Sequence, residues 1–398
     1  MKKTITFLIA ALFLNFSLIT NNSICQWVES GINGKDVRAL IFTNNKLFAG
    51  TIDYGIYIST NYGVNWSQTV LNNKTVWTFD TSGINIFAGT DGYGVYISTN
   101  NGTSWSQTSL NNQSVTAITI SGNSIFAGTV FNGVFVSTNN GTIWTQTSLS
   151  NKQILALKTL GNIIFAGVAQ TGIFRSTNNG VNWVQSSSSS IDPWSFVTSG
   201  NNIFAGAFYG GVHLSTNNGL NWVQAGLDGI TIYSLTASGN NIFAGSYQNG
   251  VFLSTNNGAN WISKSQGFNA NTIVKALSIA NDYIFAGTDN SVWRRSFSEV
   301  IWIQNISPEI PSSFSLSQNY PNPFNPSTNI KFDISKNSYV TLKVYDMLGK
   351  EVASLVNENL TAGSYNAVWN ASSFTSGIYF YKIKAGSYTE VRKMTLVK

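Results

Sequence analysis

Two aspartates, Asp36 and Asp192, are the residues of this chain whose type and spacing could support catalysis. They are separated by four periods of a sequence repeat, so they occupy the same position in two repeat units. Glycosidases use a pair of carboxylates as acid and as base or nucleophile. Aspartate is also a common turn residue before a strand. The pair is therefore compatible with a glycan-cleaving hydrolase and, alternatively, with two solvated turns.

The chain has too few histidines and cysteines for most other catalytic or metal sites. The single histidine, His213, falls at a repeat position that is otherwise aromatic, which favours a packing role. The single cysteine, Cys25, lies near the N-terminus. Neither a Ser-His-Asp nor a Cys-His system is expected. No His, Cys or Asp cluster has the spacing of metal ligands, so we expect no metal and no cofactor.

The element that positions these residues is a repeat with a constant period. The phrase Ser-Thr-Asn-x-Gly-x-x-Trp ends first at Trp66. It returns at equal intervals, ending at Trp105, Trp144, Trp183, Trp222 and Trp261. The phrase Phe-Ala-Gly keeps the same period up to a longer last interval, with its glycines at Gly50, Gly89, Gly128, Gly167, Gly206, Gly245 and Gly287. A fixed period of this length is typical of repeat architectures in which stacked units share their core.

Each repeat unit has the pattern of four short strands. In the unit 115–149, alternating and β-branched segments at 115–120, 124–129, 134–137 and 143–146 are separated by Gly- and Asn-rich turns. Four antiparallel strands in about 40 residues are typical of a propeller blade. Seven Phe-Ala-Gly units therefore predict an all-β chain with a seven-bladed antiparallel β-propeller. Trp27 and Trp302 both fall in the tryptophan register, and a strand at either place could complete the seventh blade.

The hairpin phrase resembles the Asp-box of the BNR repeat family, with asparagine in place of aspartate. That family includes sialidases, sortilin-type receptors, some glucanases and photosystem II assembly-factor-like propellers. The resemblance implies that the box is structural and lies away from the binding face. A sialidase also needs an arginine triad on that face, and only Arg38 of the propeller arginines lies on an inner strand. The sialidase activity is therefore not expected here.

Positions that vary within the repeat predict a binding face. The second residue of each inner strand and the loop after the second strand fall on one side of a propeller, and many are large aromatics. An aromatic face around a channel suits sugar rings or an extended peptide, whereas packing between blades is the alternative. The predicted binding residues are Arg38, Trp77, Trp194, Tyr233, Lys275, Tyr54, Tyr93, Phe131, Tyr209 and Tyr247.

The segment 1–25 has the pattern of a secretory signal. Lys2 and Lys3 precede an apolar stretch that is short for a membrane span, and Ser23-Ile24-Cys25 provides a small-x-small cleavage site. Acylation of Cys25 as a lipoprotein is the alternative, although Ile24 is large for a lipobox. A seven-bladed propeller at 26–303 and a proline-rich linker at 304–313 follow.

The last segment, 314–398, predicts a small Ig-like β-sandwich. Its run Asn319-Tyr320-Pro321-Asn322-Pro323 and its Tyr345-Asp346-x-x-Gly349 turn resemble the type A C-terminal sorting domain of type IX secretion. The resemblance implies interaction with the outer-membrane machinery and its sorting peptidase, passage through the periplasm, and a secreted or cell-surface destination. Release and surface anchoring both stay open.

Charge limits the partners further. The chain has 398 residues and a net charge of +6, yet the 26–311 region carries 11 basic and 11 acidic side chains. Without a basic stripe, nucleic-acid binding is not expected. We therefore expect a monomeric secreted binding protein for an extracellular glycan or protein ligand. The hydrolase that uses Asp36 and Asp192 is the alternative.

Overall fold

The structure is a computed structural model that describes residues 26–187, 191–297, 303–307, 309–371 and 374–398. The predicted signal segment, Cys25 and Trp302 lie outside these residues. Within these residues, seven four-stranded antiparallel sheets form the blades of a propeller, and two further sheets form a C-terminal sandwich. The predicted fold class is confirmed in both parts. In the described part of the chain, no helix is long and apolar enough to span a membrane.

The strands follow one another around the ring. The first, β1 (Val28–Gly31), belongs to the last blade. Blades 1 and 2 comprise β2 (Val37–Thr43), β3 (Lys46–Thr51), β4 (Gly55–Ser59), β5 (Ser67–Gln68), β6 (Val76–Ser82), β7 (Asn85–Thr90), β8 (Gly94–Ser98) and β9 (Ser106–Gln107). Blades 3 and 4 comprise β10 (Val115–Ser121), β11 (Ser124–Thr129), β12 (Val134–Ser137), β13 (Thr145–Gln146), β14 (Ile154–Leu160), β15 (Ile163–Val168), β16 (Gly172–Ser176) and β17 (Val184–Gln185).

Blades 5 and 6 comprise β18 (Pro193–Ser199), β19 (Asn202–Ala207), β20 (Gly211–Ser215), β21 (Val223–Gln224), β22 (Ile232–Ser238), β23 (Asn241–Ser246), β24 (Val251–Ser254) and β25 (Ile262–Ser263). Blade 7 comprises β26 (Val274–Ala280), β27 (Tyr283–Thr288), β28 (Val292–Ser296) and β1. The first strand of each blade lies beside the first strands of the two neighbouring blades. In the same way, β26 of blade 7 lies beside β2 of blade 1. These seven inner strands therefore surround a central channel.

The N-terminal strand closes the ring. Strand β1 pairs antiparallel with β28, so Val28–Gly31 is the outer strand of blade 7. Trp27, immediately before it, is buried, and its ring stacks on Phe268 with 4.8 Å between centroids. Its indole Nε1 donates a hydrogen bond to the carbonyl of Lys264 at 2.6 Å. Of the two tryptophans in register, Trp27 is therefore the one whose neighbouring strand the structure places in blade 7.

The Phe-Ala-Gly phrase is explained by packing between blades. Its phenylalanines are fully buried in every blade. Its glycine receives the first residue of the next inner strand: a Cβ on Gly50 would lie 2.8 Å from Val76 Cγ1, closer than real Cβ contacts allow. The same contact joins Gly287 of blade 7 to Val37 of blade 1. The phrase is thus a joint between adjacent blades, which is why it recurs in all seven.

The asparagine-containing box forms a self-contained turn. In the first copy, Ser59 Oγ accepts the backbone N–H of Gly63 at 2.8 Å, and Asn61 Oδ1 accepts that of Asn65 at 2.9 Å. Asparagine supplies this acceptor as well as aspartate would, without its charge. The glycine has a positive φ of 76° and is buried. The box is therefore structural here, as the resemblance implies.

The C-terminal sandwich contains two four-stranded sheets. One has the order β29 (Ile303–Ser307), β34 (Gly363–Asn370), β31 (Ser327–Ile334), β30 (Ser315–Leu316). The other has the order β33 (Glu351–Leu360), β32 (Ser338–Tyr345), β35 (Gly377–Ala385), β36 (Tyr388–Leu396). Their facing side chains form one apolar core that includes Trp369, Tyr381 and Phe332.

The predicted boundary between propeller and tail differs from the structure. The sequence predicts propeller to 303 and a linker over 304–313, but Ile303–Ser307 forms the edge strand β29 of the sandwich. Its residue Ile303 lies opposite Ala367, which is far along the chain. This segment is a strand because it pairs with a distant part of the chain. The local proline-rich composition gives no indication of that pairing. The sandwich therefore begins with β29, and residues 309–313 of the predicted linker lie between two of its strands, β29 and β30.

A buried aspartate joins blades 2 and 3. Asp80 on β6 accepts the N–H of Thr81 at 2.8 Å and that of Ile120, on the next blade, at 3.0 Å. Burial raises the pKa of its carboxyl above the ordinary 3.8, against the opposing effects of these hydrogen bonds and of Lys158. A raised folded-state pKa means that folding favours the protonated form.

We expect Asp80 to make the propeller less stable as pH rises. Below the unfolded-state pKa, both states are protonated and the group adds no penalty; the penalty grows as pH rises through the folded-state pKa. Asp80→Asn cannot ionise, so the unfolding free energy of the variant relative to wild type should increase between about pH 3 and pH 7. Chemical denaturation across this range measures the difference. Parallel pH profiles for the two proteins would contradict the assignment.

Candidate ligand-binding site

A β-bulge at the start of every inner strand turns one side chain into the channel. In blade 1, Val37 lies opposite Thr51 and Ala39 opposite Gly50, which leaves Arg38 as an extra residue. The same register shift occurs in the other six blades. Bulges re-aim a side chain away from the regular face of a sheet. The seven bulge residues all line one cavity of about 330 Å³: Arg38, Trp77, Thr116, Leu155, Trp194, Tyr233 and Lys275.

This cavity brings together five of the predicted binding residues. Arg38, Trp77, Trp194, Tyr233 and Lys275 come from five different blades and reach the same space because their bulges are equivalent. Five further lining residues are absent from the predicted binding set: the bulge residues Thr116 and Leu155, and also Asp91, Val130 and Gln153. Gln153 occupies the repeat position of Asp36, and Val130 occupies that of Ile52. The repeat period therefore could have identified both as residues of this face.

The rings of blades 5 and 6 form one connected group, which we call the aromatic cluster: Trp194, Phe208, Tyr209, Tyr233 and Tyr247. The Trp194 ring stacks near Phe208, with 6.1 Å between centroids, and meets Tyr233 edge-on at 5.0 Å. Phe208 meets Tyr209 edge-on at 4.7 Å, and Tyr233 meets Tyr247 at 6.2 Å. The cluster runs from the cavity wall outward to the loops at the channel mouth.

Exposure within the aromatic cluster increases outward. Trp194 and Tyr233 are half-buried, and so is Trp77 on blade 2. Phe208, Tyr209 and Tyr247 are 45%, 62% and 38% exposed. The sequence predicts a face that displays its tryptophans, whereas the structure uses Trp194 as a support against which the exposed outer rings pack. Phe208 belongs to the cluster although the predicted binding residues do not include it. Two consecutive aromatic residues, Phe208 and Tyr209, in a loop whose sequence differs between blades could have indicated it.

Blades 1 and 2 carry a different surface, in which cations cover the rings. Lys35 Nζ lies 3.6 Å from the centroid of the Tyr54 ring, and Lys74 Nζ lies 3.5 Å from that of Tyr93. Both pairs hold equivalent positions in successive repeat units. Arg38 lies over Trp77 at 5.2 Å. Cation–π contact of this kind occupies one face of each ring. The predicted residue Phe131 stands apart on blade 3, 76% exposed.

Asp36 is held in an ion-pair network. Its Oδ1 lies 2.9 Å from Arg38 Nε, and its Oδ2 lies 2.6 Å from Lys275 Nζ. Lys275 belongs to blade 7, so the carboxylate joins the last blade to the first. The side chains of Asp36 and Lys275 are 23% and 11% exposed, so solvent screens the network only in part. These contacts give Asp36 a structural role, positioning two cations at the cavity.

Asp192 has a different set of contacts. Its Oδ1 accepts the backbone N–H of Gln170, in the loop of the preceding blade, at 3.1 Å. Thr75 and Thr231, at equivalent positions, accept loop N–H groups of the preceding blades with their hydroxyls. The hydroxyl of threonine cannot act as a catalytic carboxylate, so the shared contact is a joint between blades. The two aspartates therefore have different environments: Asp36 lies between two cations, and Asp192 accepts a loop amide.

The histidine has the packing position that the sequence indicates. His213 on β20 lies opposite Ala205, as Phe135 on β12 lies opposite Ala127. Burial lowers the pKa of His213, which keeps the imidazole neutral near pH 7. Among the described residues, no group of three or more His, Cys, Asp or Glu side chains could hold a metal ion.

The tail matches a known family. Residues 318–397 match the model of the secretion system C-terminal sorting domain. The chain is thus an all-β repeat propeller that carries a sorting domain of type IX secretion at its C-terminus. This domain indicates export by that system to the cell surface or the extracellular space. No protein with curated annotation matches the chain in sequence.

Solved structures share the fold at low identity. YCF48 from Cyanidioschyzon merolae is 12% identical with a TM-score of 0.57, and the match covers 69% of this chain and 100% of that one. A structure described as YCF48 bound to D1 peptide is also 12% identical, with a TM-score of 0.56 and coverage of 68% and 96%. PorZ, described as an essential surface component of the type IX secretion system of Porphyromonas gingivalis, is 13% identical. Its TM-score is 0.53, and the match covers 91% of this chain and 59% of PorZ.

Proposed function

We propose that the propeller binds an extracellular glycan or peptide at the mouth of its central channel and leaves it chemically unchanged. The observation that carries this proposal is the continuity of the site. Seven equivalent bulge residues line one cavity, and the aromatic cluster extends from that cavity to exposed rings on the loops. Exposed apolar groups next to a concave, partly polar site are typical of ligand recognition.

The two halves of the channel mouth suit different parts of a ligand. On blades 5 and 6, Phe208, Tyr209 and Tyr247 offer uncovered rings against which a sugar ring or an apolar side chain can pack. On blades 7 and 1, the cations Lys275, Arg38 and Lys35 can donate hydrogen bonds to a carbonyl, hydroxyl or carboxylate. A ligand that spans the mouth would gain modest energy from each half. We expect weak individual contacts that add up, strengthened where several ligand units are displayed together.

Both ligand classes have physical support. The ring edges and faces around a channel fit the alternating polar and apolar surfaces of a glycan chain. An extended peptide can make the same contacts, and a protein that shares this fold has been solved with a peptide bound. A screen of glycan and peptide arrays with the mature protein identifies the class. The bound compounds should be recovered without cleavage.

We expect Tyr209→Ala and Tyr247→Ala each to weaken binding of the best array ligand by about 1 kcal/mol or more, which is roughly fivefold or more in Kd. Both side chains are exposed and each packs edge-on against one ring, so the unfolding free energy should fall by no more than about 1.5 kcal/mol. Isothermal titration measures the affinity. Trp194→Ala would test stability as well, because its half-buried ring supports Phe208 and Tyr233.

A matched control lies on the box turns. Val181 and Leu220 are 65% and 57% exposed and precede the box tryptophans of two blades. Val181→Ala with Leu220→Ala removes a similar apolar area and should leave the affinity unchanged. If this control weakens binding while Tyr209→Ala and Tyr247→Ala do not, the ligand is on the other face. If array ligands are cleaved and Asp36→Asn stops the cleavage, the hydrolase is the correct function.

A further inference from the structure

The outer face of one sandwich sheet carries a group of lysines, which we call the lysine face: Lys343, Lys382, Lys384 and Lys393. Strands β32, β35 and β36 alternate between the core and this face. Leu342, Tyr381 and Met394 point into the apolar core, so the lysines beside them in sequence point outward. Lys382, Lys384 and Lys393 are exposed, and Lys343 is half-buried.

Repulsion between lysines of this face lowers the stability of the domain. Lys343 and Lys382 lie directly opposite each other on neighbouring strands, and like charges in that position are destabilising. Glu351 relieves only one of them: its carboxylate lies 2.9 Å from Lys343 Nζ, and this contact raises the pKa of Lys343. Lys382, Lys384 and Lys393 have no ion-pair partner among the described residues. A partner outside the chain that carries negative charge would offset this repulsion.

A hollow next to the lysines provides a second, independent feature. Its volume is about 400 Å³, and it is lined by Tyr345, Asp346, Met347, Gly349, Phe380, Lys382 and Val391. The turn beside it is held by two side-chain hydrogen bonds, because Asp346 Oδ1 accepts the N–H groups of Leu348 and Lys350 at 2.9 Å each. This turn holds Met347 and Leu348 in water, 70% and 94% exposed. An ordered turn that displays two large apolar side chains beside a hollow is suited to contact with another protein.

We propose that the sorting domain docks through the lysine face and this hollow onto an acidic protein surface of the outer-membrane export machinery. Lys382, Lys384 and Lys393 face negative charge on the partner, which steers encounter and fixes orientation. One apolar side chain of the partner occupies the hollow between Tyr345 and Phe380, and Met347 and Leu348 pack around it. The hollow favours a protein over a membrane surface, because a discrete pocket requires a discrete side chain. The inference rests on the sorting role of the tail and not on the ligand of the propeller.

Charge reversal with a matched control tests this surface. In a bacterium that exports the wild-type chain, Lys382→Glu with Lys384→Glu should reduce the surface or extracellular fraction at least tenfold, with accumulation in the periplasm. Lys331→Glu with Lys336→Glu changes the net charge equally at two exposed positions outside the lysine face and should export normally. The thermal midpoint of the purified lysine-face variant should equal or exceed that of wild type, since Lys343 gains an opposite charge.

Three results would overturn the proposal: normal export of the lysine-face variant, equal loss in both double variants, or binding of the full chain to phosphatidylglycerol vesicles that only the lysine-face variant loses. The last result would assign the face to a membrane. If charge reversal lowers the thermal midpoint, Met347→Ser with Leu348→Ser decides, because these side chains are exposed. Reduced export of that variant at unchanged midpoint supports the docking surface, and normal export contradicts it.

Discussion

Removal of residues 303–398 is expected to abolish export while the propeller stays folded. The sorting domain lies in the removed segment, and β29 at its start pairs with β34 of the sandwich. The propeller does not depend on this segment for closure, because β1 from the N-terminus completes blade 7. The truncated protein should accumulate in the periplasm with a cooperative thermal transition. Fractionation with an antibody to the propeller, followed by calorimetry of the purified protein, measures both outcomes.

A second truncation separates the role of the C-terminal region in export from its role in pairing with β29. Removal of 314–398 alone leaves β29 without the strand that it pairs with, so this form should also remain in the periplasm. Because β29 then exposes unpaired backbone groups, it should associate more readily than the form that ends before 303. Appearance of either truncated protein at the cell surface or in the medium would contradict the sorting role of the tail.

Trp27→Ala is expected to lower the free energy of unfolding by about 3–5 kcal/mol, the range for loss of a buried tryptophan. The substitution removes a ring that is 1% exposed, its stack on Phe268 and its hydrogen bond to the carbonyl of Lys264. It also weakens attachment of β1, the strand that closes the ring. Denaturant unfolding of the variant and wild type measures the loss.

Val28→Ala is the matched control for this prediction. Val28 is the next residue, is 45% exposed and keeps its backbone pairing with Arg294. Its substitution should change the unfolding free energy by less than about 1 kcal/mol. Equal effects of the two substitutions, or a loss for Trp27→Ala as small as the one expected for Val28→Ala, would show that closure of blade 7 does not depend on this residue.

The repeat made the architecture of the propeller predictable. Each unit contains its own turns, and the glycine of Phe-Ala-Gly must be small because Val76 and its equivalents pack against it. A requirement that recurs in every blade leaves a visible period in the sequence. The register also marked Trp27, one full period before Trp66, as one of two candidate closing positions, the other being Trp302. These features depend on contacts between equivalent positions, which sequence spacing reports directly.

Features that depend on a single distant contact were not predictable in the same way. Strand β29 pairs with β34, which lies far along the chain, and it has no repeat equivalent, so its composition resembled a linker. The period placed Arg38 and its equivalents on one face, but the bulges that turn them into one cavity depend on strand register, which the local pattern does not contain. The spacing of Asp36 and Asp192 indicated a pair, but it does not contain the contacts around each carboxylate, which are Lys275 for Asp36 and the Gln170 amide for Asp192.

Amide hydrogen exchange of the mature protein with and without the tightest array ligand tests the central claim most directly, because it reports which face of the propeller becomes protected. The account predicts slower exchange in the channel-mouth loops 207–211 and 246–250, which carry Phe208, Tyr209 and Tyr247. It predicts no change in the box turns 59–66, 98–105 and 176–183. Protection confined to the box turns, with the channel-mouth loops unchanged, would contradict it.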